Sequence, residues 1–315
     1  MVFRKILTTT RSISELEAAV LSAARIAEFY QAFLTVVHVI EPLNDVEKNM
    51  ARHVKTSKKS ILDASGSYLQ EVKEALQKNY AAIFSRLDAY QVRVRHGIPW
   101  MEVLKVAITE EPDLILLGAH RQRADESVSG HSKLEVGSTT EGVIKHERCP
   151  TVIVNKPISE SKVAFEKIMV SIDFSPSCDS ALQFAVGLAR KRGSKLYLFH
   201  MLPVPPQPKY SQTQYEADIR KIKQRLDEEF CNKVPEMIVN EIVTWGGVYP
   251  EMEILKSARQ NDVDLIVMGS HTKLKGKLQE ARWYVGSAVE RVSATSDCPV
   301  AVITDPKAIE KWSSE

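Results

Sequence analysis

Three short clusters in the second half of the chain have residue types suited to holding a small anionic ligand. Asp173-Phe-Ser-Pro176 directly follows an apolar run, and an aspartate placed there accepts hydrogen bonds from ligand hydroxyls. Gly269-Ser-His271 follows another apolar run, where a glycine permits close backbone approach. Gly286-Ser-Ala288 opens a helical pattern, and its N–H groups at the positive end of a helix suit phosphate. Each cluster also has a plainer reading. Asp173, Ser175 or Ser177 caps the next helix, and Gly269, like Gly118 in the first half, simply ends a strand tightly. Gly286-Ser287 only starts a helix, and His271, with its counterpart His120, is a hydrogen-bonded structural residue. Catalysis is not expected. No nucleophile has a base and an orienter in view, no carboxylate pair flanks the clusters, and no complete Gly-x4-Gly-Lys-(Ser/Thr) loop is present.

The elements that must position these residues occur twice. Pro99-Trp-Met-Glu-Val-Leu-Lys recurs as Pro250-Glu-Met-Glu-Ile-Leu-Lys, and Asp113-Leu-Ile-Leu-Leu-Gly-Ala-His120 as Asp264-Leu-Ile-Val-Met-Gly-Ser-His271. Gly137-Ser138 and Cys149-Pro150 recur as Gly286-Ser287 and Cys298-Pro299. The order is kept at an offset near 150 residues, which is a domain length rather than a solenoid period.

In the second half, strand-like runs at Lys167–Ile172, Lys195–Met201, Glu236–Thr244, Asp264–Met268 and Val300–Ile303 alternate with helical patterns. Those patterns cover Ser180–Arg190, Gln214–Phe230, Glu251–Arg259 and Gly286–Ala294. The first half repeats the order, with a longer insert at Asp45–Ala89 read as one helix or two broken near Gly66. Alternation of this kind implies crossovers between parallel strands. The expected fold class is α/β, as two tandem doubly wound five-stranded parallel-sheet domains over residues 1–157 and 163–307, linked through Asn155–Lys162. In such sheets ligands bind at the carboxyl ends of strands where the order reverses. If the first and fourth strands are neighbours, Asp173 and Gly269 face one crevice.

Bulk composition narrows the function classes. A content of 44% hydrophobic and 26% charged residues is ordinary for a globular chain, and a net charge of +2 gives no nucleic-acid surface. The basic run Lys55–Lys59 reads as a solvated helix face. Four cysteines are too few for a disulfide framework. Cys149 and Cys298 are expected to be small buried residues. No histidine or cysteine spacing suggests a metal, and no apolar run is long enough to span a membrane. The chain opens on a strand pattern rather than a secretion signal, so a reducing cytoplasm is the expected location.

Taken together, these residues resemble the universal stress proteins in tandem form, with an adenine nucleotide alpha hydrolase-like fold. In the second copy the resemblance rests on Lys167-Ile-Met-Val-Ser-Ile-Asp-Phe-Ser175, His200, Pro250-Glu-Met-Glu-Ile-Leu255, Asp264–His271, Gly286-Ser287 and Cys298-Pro299. It implies a stress-response or signalling protein that binds ATP or AMP, with Mg²⁺ present only alongside the nucleotide. The implied nucleotide site is Ser171, Asp173, Met201, Met268, Gly269, His271, Gly286, Ser287 and Ala288. The ATP-binding branch of that family carries Gly-x2-Gly-x9-Gly-(Ser/Thr). Here Thr272 stands at the second glycine, and Gly286 follows Gly269 by 17 residues, which is four more than the family spacing. The first copy departs further. Arg11 replaces the aspartate, Arg121 replaces the second glycine, and Gly137 follows Gly118 by 19 residues. An arginine has only donors and cannot accept from a ribose hydroxyl, so nucleotide is expected in the second copy only. Two alternatives stay open: a nucleotide-free interaction scaffold, and a weak ATPase or autophosphorylating protein. The resemblance also implies pairing of the two domains through their last strands, antiparallel and adjacent, and leaves a homodimer of whole chains open. No nucleic-acid or membrane partner is expected.

Overall fold

The computed structural model describes residues 2–41, 66–119, 136–202, 211–230, 240–245, 249–270 and 287–304. In the first half, β1 (Lys5–Thr10), β2 (Phe33–Ile40), β3 (Tyr90–His96), β4 (Leu114–Gly118) and β5 (Thr151–Val154) alternate with helices. These are α1 (Ala18–Tyr30), α2 (Gly66–Asn79), α3 (Ala81–Phe84), α4 (Pro99–Glu110) and α5 (Ser138–His146). The second half has β6 (Lys167–Ser171), β7 (Lys195–Leu202), β8 (Asn240–Trp245), β9 (Leu265–Gly269) and β10 (Val300–Ile303). Its helices are α6 (Pro176–Arg192), α7 (Gln212–Glu229), α8 (Pro250–Gln260) and α9 (Ser287–Thr295). Of the insert after β2, Gly66–Asn79 and Ala81–Phe84 are helical, and the part before Gly66 lies outside the described residues. The expected start of the eighth strand at Glu236 lies outside them as well.

Local chemistry explains the boundaries. Helices α4, α6 and α8 each carry proline in the first turn, where no N–H partner is lost. Gln31 and Gly193 adopt left-handed backbone and close α1 and α6 at equivalent places. The first four residues of β4 and of β9 are all buried, as befits strands covered on both faces. The repeated acid ahead of these strands is structural. Asp113 Oδ2 accepts from the N–H groups of Arg4 (2.8 Å) and Lys5 (3.0 Å), and Asp264 Oδ2 accepts from the Lys167 N–H (3.0 Å). These bonds tie the amino ends of β1 to β4 and of β6 to β9, at the end of the sheet away from the candidate crevices.

The ten strands form one sheet in the order β3-β2-β1-β4-β5-β10-β9-β6-β7-β8. Pairing within each half is parallel, including β1 with β4 and β6 with β9, so the strand order reverses beside β1 and beside β6. At the centre β5 and β10 run antiparallel, pairing Ile153 with Val300, Val152 with Ala301 and Thr151 with Val302. Val152 and Ala301 are repeat equivalents, so a pseudo-two-fold axis passes through that pair. Side chains just beyond the two strands cross the axis. Thr304 Oγ1 donates to the Ile144 carbonyl of α5 (3.0 Å). Asn155 Nδ2 donates to the carbonyls of Ser293 (2.9 Å) and Ser296 (3.0 Å) at the end of α9. Ile144 and Ser293 are also repeat equivalents, and each bond satisfies a carbonyl that a helix end leaves open. On one face of the sheet the buried side chains form a single cluster running through both halves, from Phe3 and Leu34 to Leu198 and Ile303. On the other face there are two clusters: one around Leu7 and Leu117 in the first half, and one around Met169 and Ile266 that reaches across the seam to Ala119, Ile144 and Ile153.

Candidate functional site

The reversal of strand order opens a crevice between the carboxyl ends of β6 and β9. A cavity of about 230 Å³ lies there. It brings together six of the nine expected residues: Ser171, Asp173, Met201, Met268, Gly269 and Ala288. Ser287 is the exposed first residue of α9, one position before Ala288. His271 and Gly286 lie outside the described residues, as do Thr272, His120 and Arg121. The walls also include Cys178, His200, Pro250 and Ile254, which the expected site omitted. Pro250 and Ile254 had a signal in sequence, since they stand one helical turn apart in the repeated Pro-x-Met-Glu motif.

Asp173 is exposed at the mouth of this cavity. It is not the cap of α6: Ser175 holds that position, without a side-chain capping bond. Instead Asp173 Oδ1 accepts from the Ser175 N–H (3.0 Å) and from the Cys178 thiol (2.6 Å). The Asp173 N–H donates back to Cys178 Sγ (3.2 Å). Burial, then the nearby Asp173 carboxylate, push the Cys178 thiol up to about 11. Cys178 is therefore a protonated donor at neutral pH rather than a nucleophile. Cys149 and Cys298, expected to be buried, are only partly so, and among the described residues the buried thiol is Cys178.

His200 lies near the carboxyl end of β7, in the wall of the cavity. Its Nδ1 lies 2.8 Å from the Ile172 carbonyl, which only accepts, so Nδ1 carries the proton. Burial lowers the pKa of this ring below the usual histidine value. His38 repeats the arrangement in the first half, with Nδ1 2.9 Å from the Thr10 carbonyl and the same downward shift from burial. The pairing of His38 with His200 at one offset was a signal the sequence offered.

Gly269 has a reason of its own. A Cβ there would lie 2.6 Å from the backbone carbon and oxygen of Ser177, so the glycine lets the start of α6 pack on the end of β9. Among the described residues no group of three histidine, cysteine or acidic side chains could hold a metal ion. The fit to a nucleotide comes from other features. Met201, Met268 and Ile254 offer apolar surface to a flat base, Asp173 offers an acceptor, and the first turn of α9 offers N–H groups.

The matching crevice at β1 and β4 is larger, about 380 Å³, and its polar lining includes Thr10, Arg11, Glu17, Glu41, Ser138 and Thr140. Its turn is built differently. The Glu17 carboxylate accepts from the N–H groups of Arg11 (3.1 Å) and Ser12 (2.9 Å). The Tyr80 hydroxyl accepts from the Glu17 N–H (3.1 Å) and donates to the Glu15 carbonyl (3.0 Å).

Comparison with known proteins gives a consistent result. The sequence model of the universal stress protein family matches residues 3–155 and again 164–304. A universal stress protein of Mycolicibacterium smegmatis is 23% identical over 95% of this chain and 96% of its own. The universal stress protein MJ0531 of Methanocaldococcus jannaschii is 29% identical over 49% of this chain and 91% of its own. Among solved structures, a universal stress protein from Archaeoglobus fulgidus superposes with a TM-score of 0.58 at 20% identity, covering 95% of this chain and 96% of that one, which shows a shared fold. With two matches of the family in sequence and one sheet built from two like halves, the chain belongs to the universal stress protein family in its tandem form.

Proposed function

We propose that this protein binds an adenine nucleotide, ATP or AMP, in the crevice of its second domain and acts in stress response or signalling without turning the nucleotide over. The observation that carries this reading is Asp173, held at the mouth of an apolar-walled cavity and accepting from two internal donors. Its carboxylate supplies the acceptor that ribose hydroxyls need. Mg²⁺ would arrive only with the nucleotide, bound through its phosphates. In the first crevice the position of Asp173 is taken by Arg11, which has only donors, while Glu17 is engaged by the turn and Glu17 and Glu41 both repel phosphate. The pairing of β5 with β10 supports a reading in which one chain forms its own two-domain unit. No helix among the described residues is long and apolar enough to cross a membrane, which is compatible with a cytoplasmic location. The decisive experiment denatures freshly purified protein and assays the supernatant for ATP and AMP, then titrates both into stripped protein by calorimetry. About one site per chain is expected. Two equal sites, or one that survives Asp173→Ala, would refute the assignment.

A second reading, a nucleotide-free scaffold, draws on Gly269. Its close approach to Ser177 explains the glycine with no ligand at all. Protein that stays folded and takes up neither nucleotide would establish that reading.

A further inference from the structure

Phe174, next to Asp173, has φ +58, a left-handed conformation that is unfavourable for a bulky side chain. Such backbone persists where its surroundings over-determine it. Ser12, the counterpart in the first domain, does not adopt it. The surroundings of Phe174 come from far along the chain. Its ring lies 4.9 Å from that of His200 and 5.8 Å from that of Phe230. The Arg225 guanidinium, from the last turns of α7, sits 3.8 Å over the ring centre. Arg225 also pairs with Glu229 one turn on (2.6 Å), and its side chain is 48% exposed.

We propose that Arg225 is a positioning residue for the candidate site, clamping Phe174 so that the turn presents Asp173 to the crevice. The proposal rests on the adenine-nucleotide reading for its ligand and on the turn geometry for its mechanism. A cation over an aromatic face is attracted by the ring quadrupole. Pinned in this way, the ring holds the left-handed residue, and the peptides on either side fix where the Asp173 carboxylate stands. The two donors to Oδ1 then read its position.

The test is Arg225→Gln in the full chain, with two readouts. Calorimetry with ATP and AMP should show affinity falling about two- to fivefold, with Arg225→Lys, which keeps a cation, recovering most of it. The second readout needs no ligand. The Cys178 thiolate is titrated by ultraviolet absorbance, as the difference from Cys178→Ser. Its pKa should fall in Arg225→Gln relative to the unmodified chain, since the carboxylate that helps raise it has moved, and should return in Arg225→Lys. Glu229→Gln breaks the ion pair on α7 but leaves the guanidinium over the ring, so it should leave both readouts unchanged. If Glu229→Gln shifts them as far as Arg225→Gln does, Arg225 merely supports α7 and the proposal is wrong. A thiol that titrates in Arg225→Gln as it does in the unmodified chain overturns it too, whatever the nucleotide does. If the unmodified chain binds neither nucleotide while the thiol moves as expected, the nucleotide reading fails and the positioning role stands.

Discussion

In the first crevice Arg11 follows β1, and the amides of the turn are taken up by the Glu17 carboxylate. In the second, Asp173 follows β6, and the turn closes on a buried thiol. The strands that carry these turns share topology, neighbours and a histidine, buried in the first half and half-buried in the second, bonded to the strand end. The larger space, about 380 Å³ against 230 Å³, belongs to the crevice without the aspartate. Cavity size and fold therefore say little about what each crevice could hold. The group just after the first strand of each half says more: Asp173 can accept from a ligand hydroxyl, whereas Arg11 in the same place can only donate.

The harshest way to break the comparison is to separate its halves. Val152→Asp places a carboxylate at a position 1% exposed, on the pair that the pseudo-two-fold axis crosses. An uncompensated buried charge should destabilise by about 3–5 kcal/mol. Chemical denaturation measures the loss, and hydrogen exchange should show β10 deprotected along with β5.

The next test touches one crevice at a time. Asp173→Ala should weaken nucleotide binding by about tenfold or more, the scale of a hydrogen bond to a charged group. Arg11→Ala should leave the same titration unchanged. Equal losses from the two substitutions would erase the distinction between the crevices.

A pH series sharpens the contrast further. The Cys178 thiol keeps its proton up to about 11 in the folded chain, whereas an unfolded thiol loses it near 9. Between these values the unfolded chain binds fewer protons, so stability falls as pH rises, by about 2–3 kcal/mol at the upper end. Cys178→Ser should remove that part of the alkaline slope. The histidines behave alike in both halves. His38 and His200 are depressed by burial, so the unfolded chain takes up protons first as pH falls through the ordinary histidine range, and stability declines. Replacing either histidine by glutamine should flatten the acid slope to a similar degree.

The mildest test concerns the bonds across the axis. Asn155→Ala removes two hydrogen bonds and Thr304→Ala one, so losses of about 1–2 and about 0.5–1.5 kcal/mol are expected. Thermal unfolding should rank them in that order.

Much of this architecture could be read from the residues in order. Apolar runs such as Leu-Ile-Leu-Leu and Leu-Ile-Val-Met mark strands covered on both sides, and β10 falls on Val300–Ile303 as the pattern suggests. Prolines at 99, 176 and 250 mark helix starts. Six of the nine expected site residues share one cavity because strand ends and their following turns are local features. What stayed hidden depends on distance along the chain. Nothing near Phe174 announces a left-handed backbone, since Arg225 and Phe230 that hold it come from another helix. Glu17 looks like a helix-start acid, and only the fold shows its carboxylate turned back onto Arg11 and Ser12. Gly269 reads in sequence as a ligand contact or a tight strand end, while its crowding by Ser177 appears only when α6 is laid against β9.

The junction between β5 and β10 has one more consequence. In a two-fold dimer of identical chains, every substitution falls on both sides of the interface and in both binding sites at once. Here the two sides are encoded separately, and Val152 faces Ala301 rather than another valine. A change in one crevice need not be repeated in the other, and the seam can adjust on one side to suit. Joining the copies in one chain turns a symmetric pair into a platform where one half can specialise while its twin supplies the other edge of the sheet.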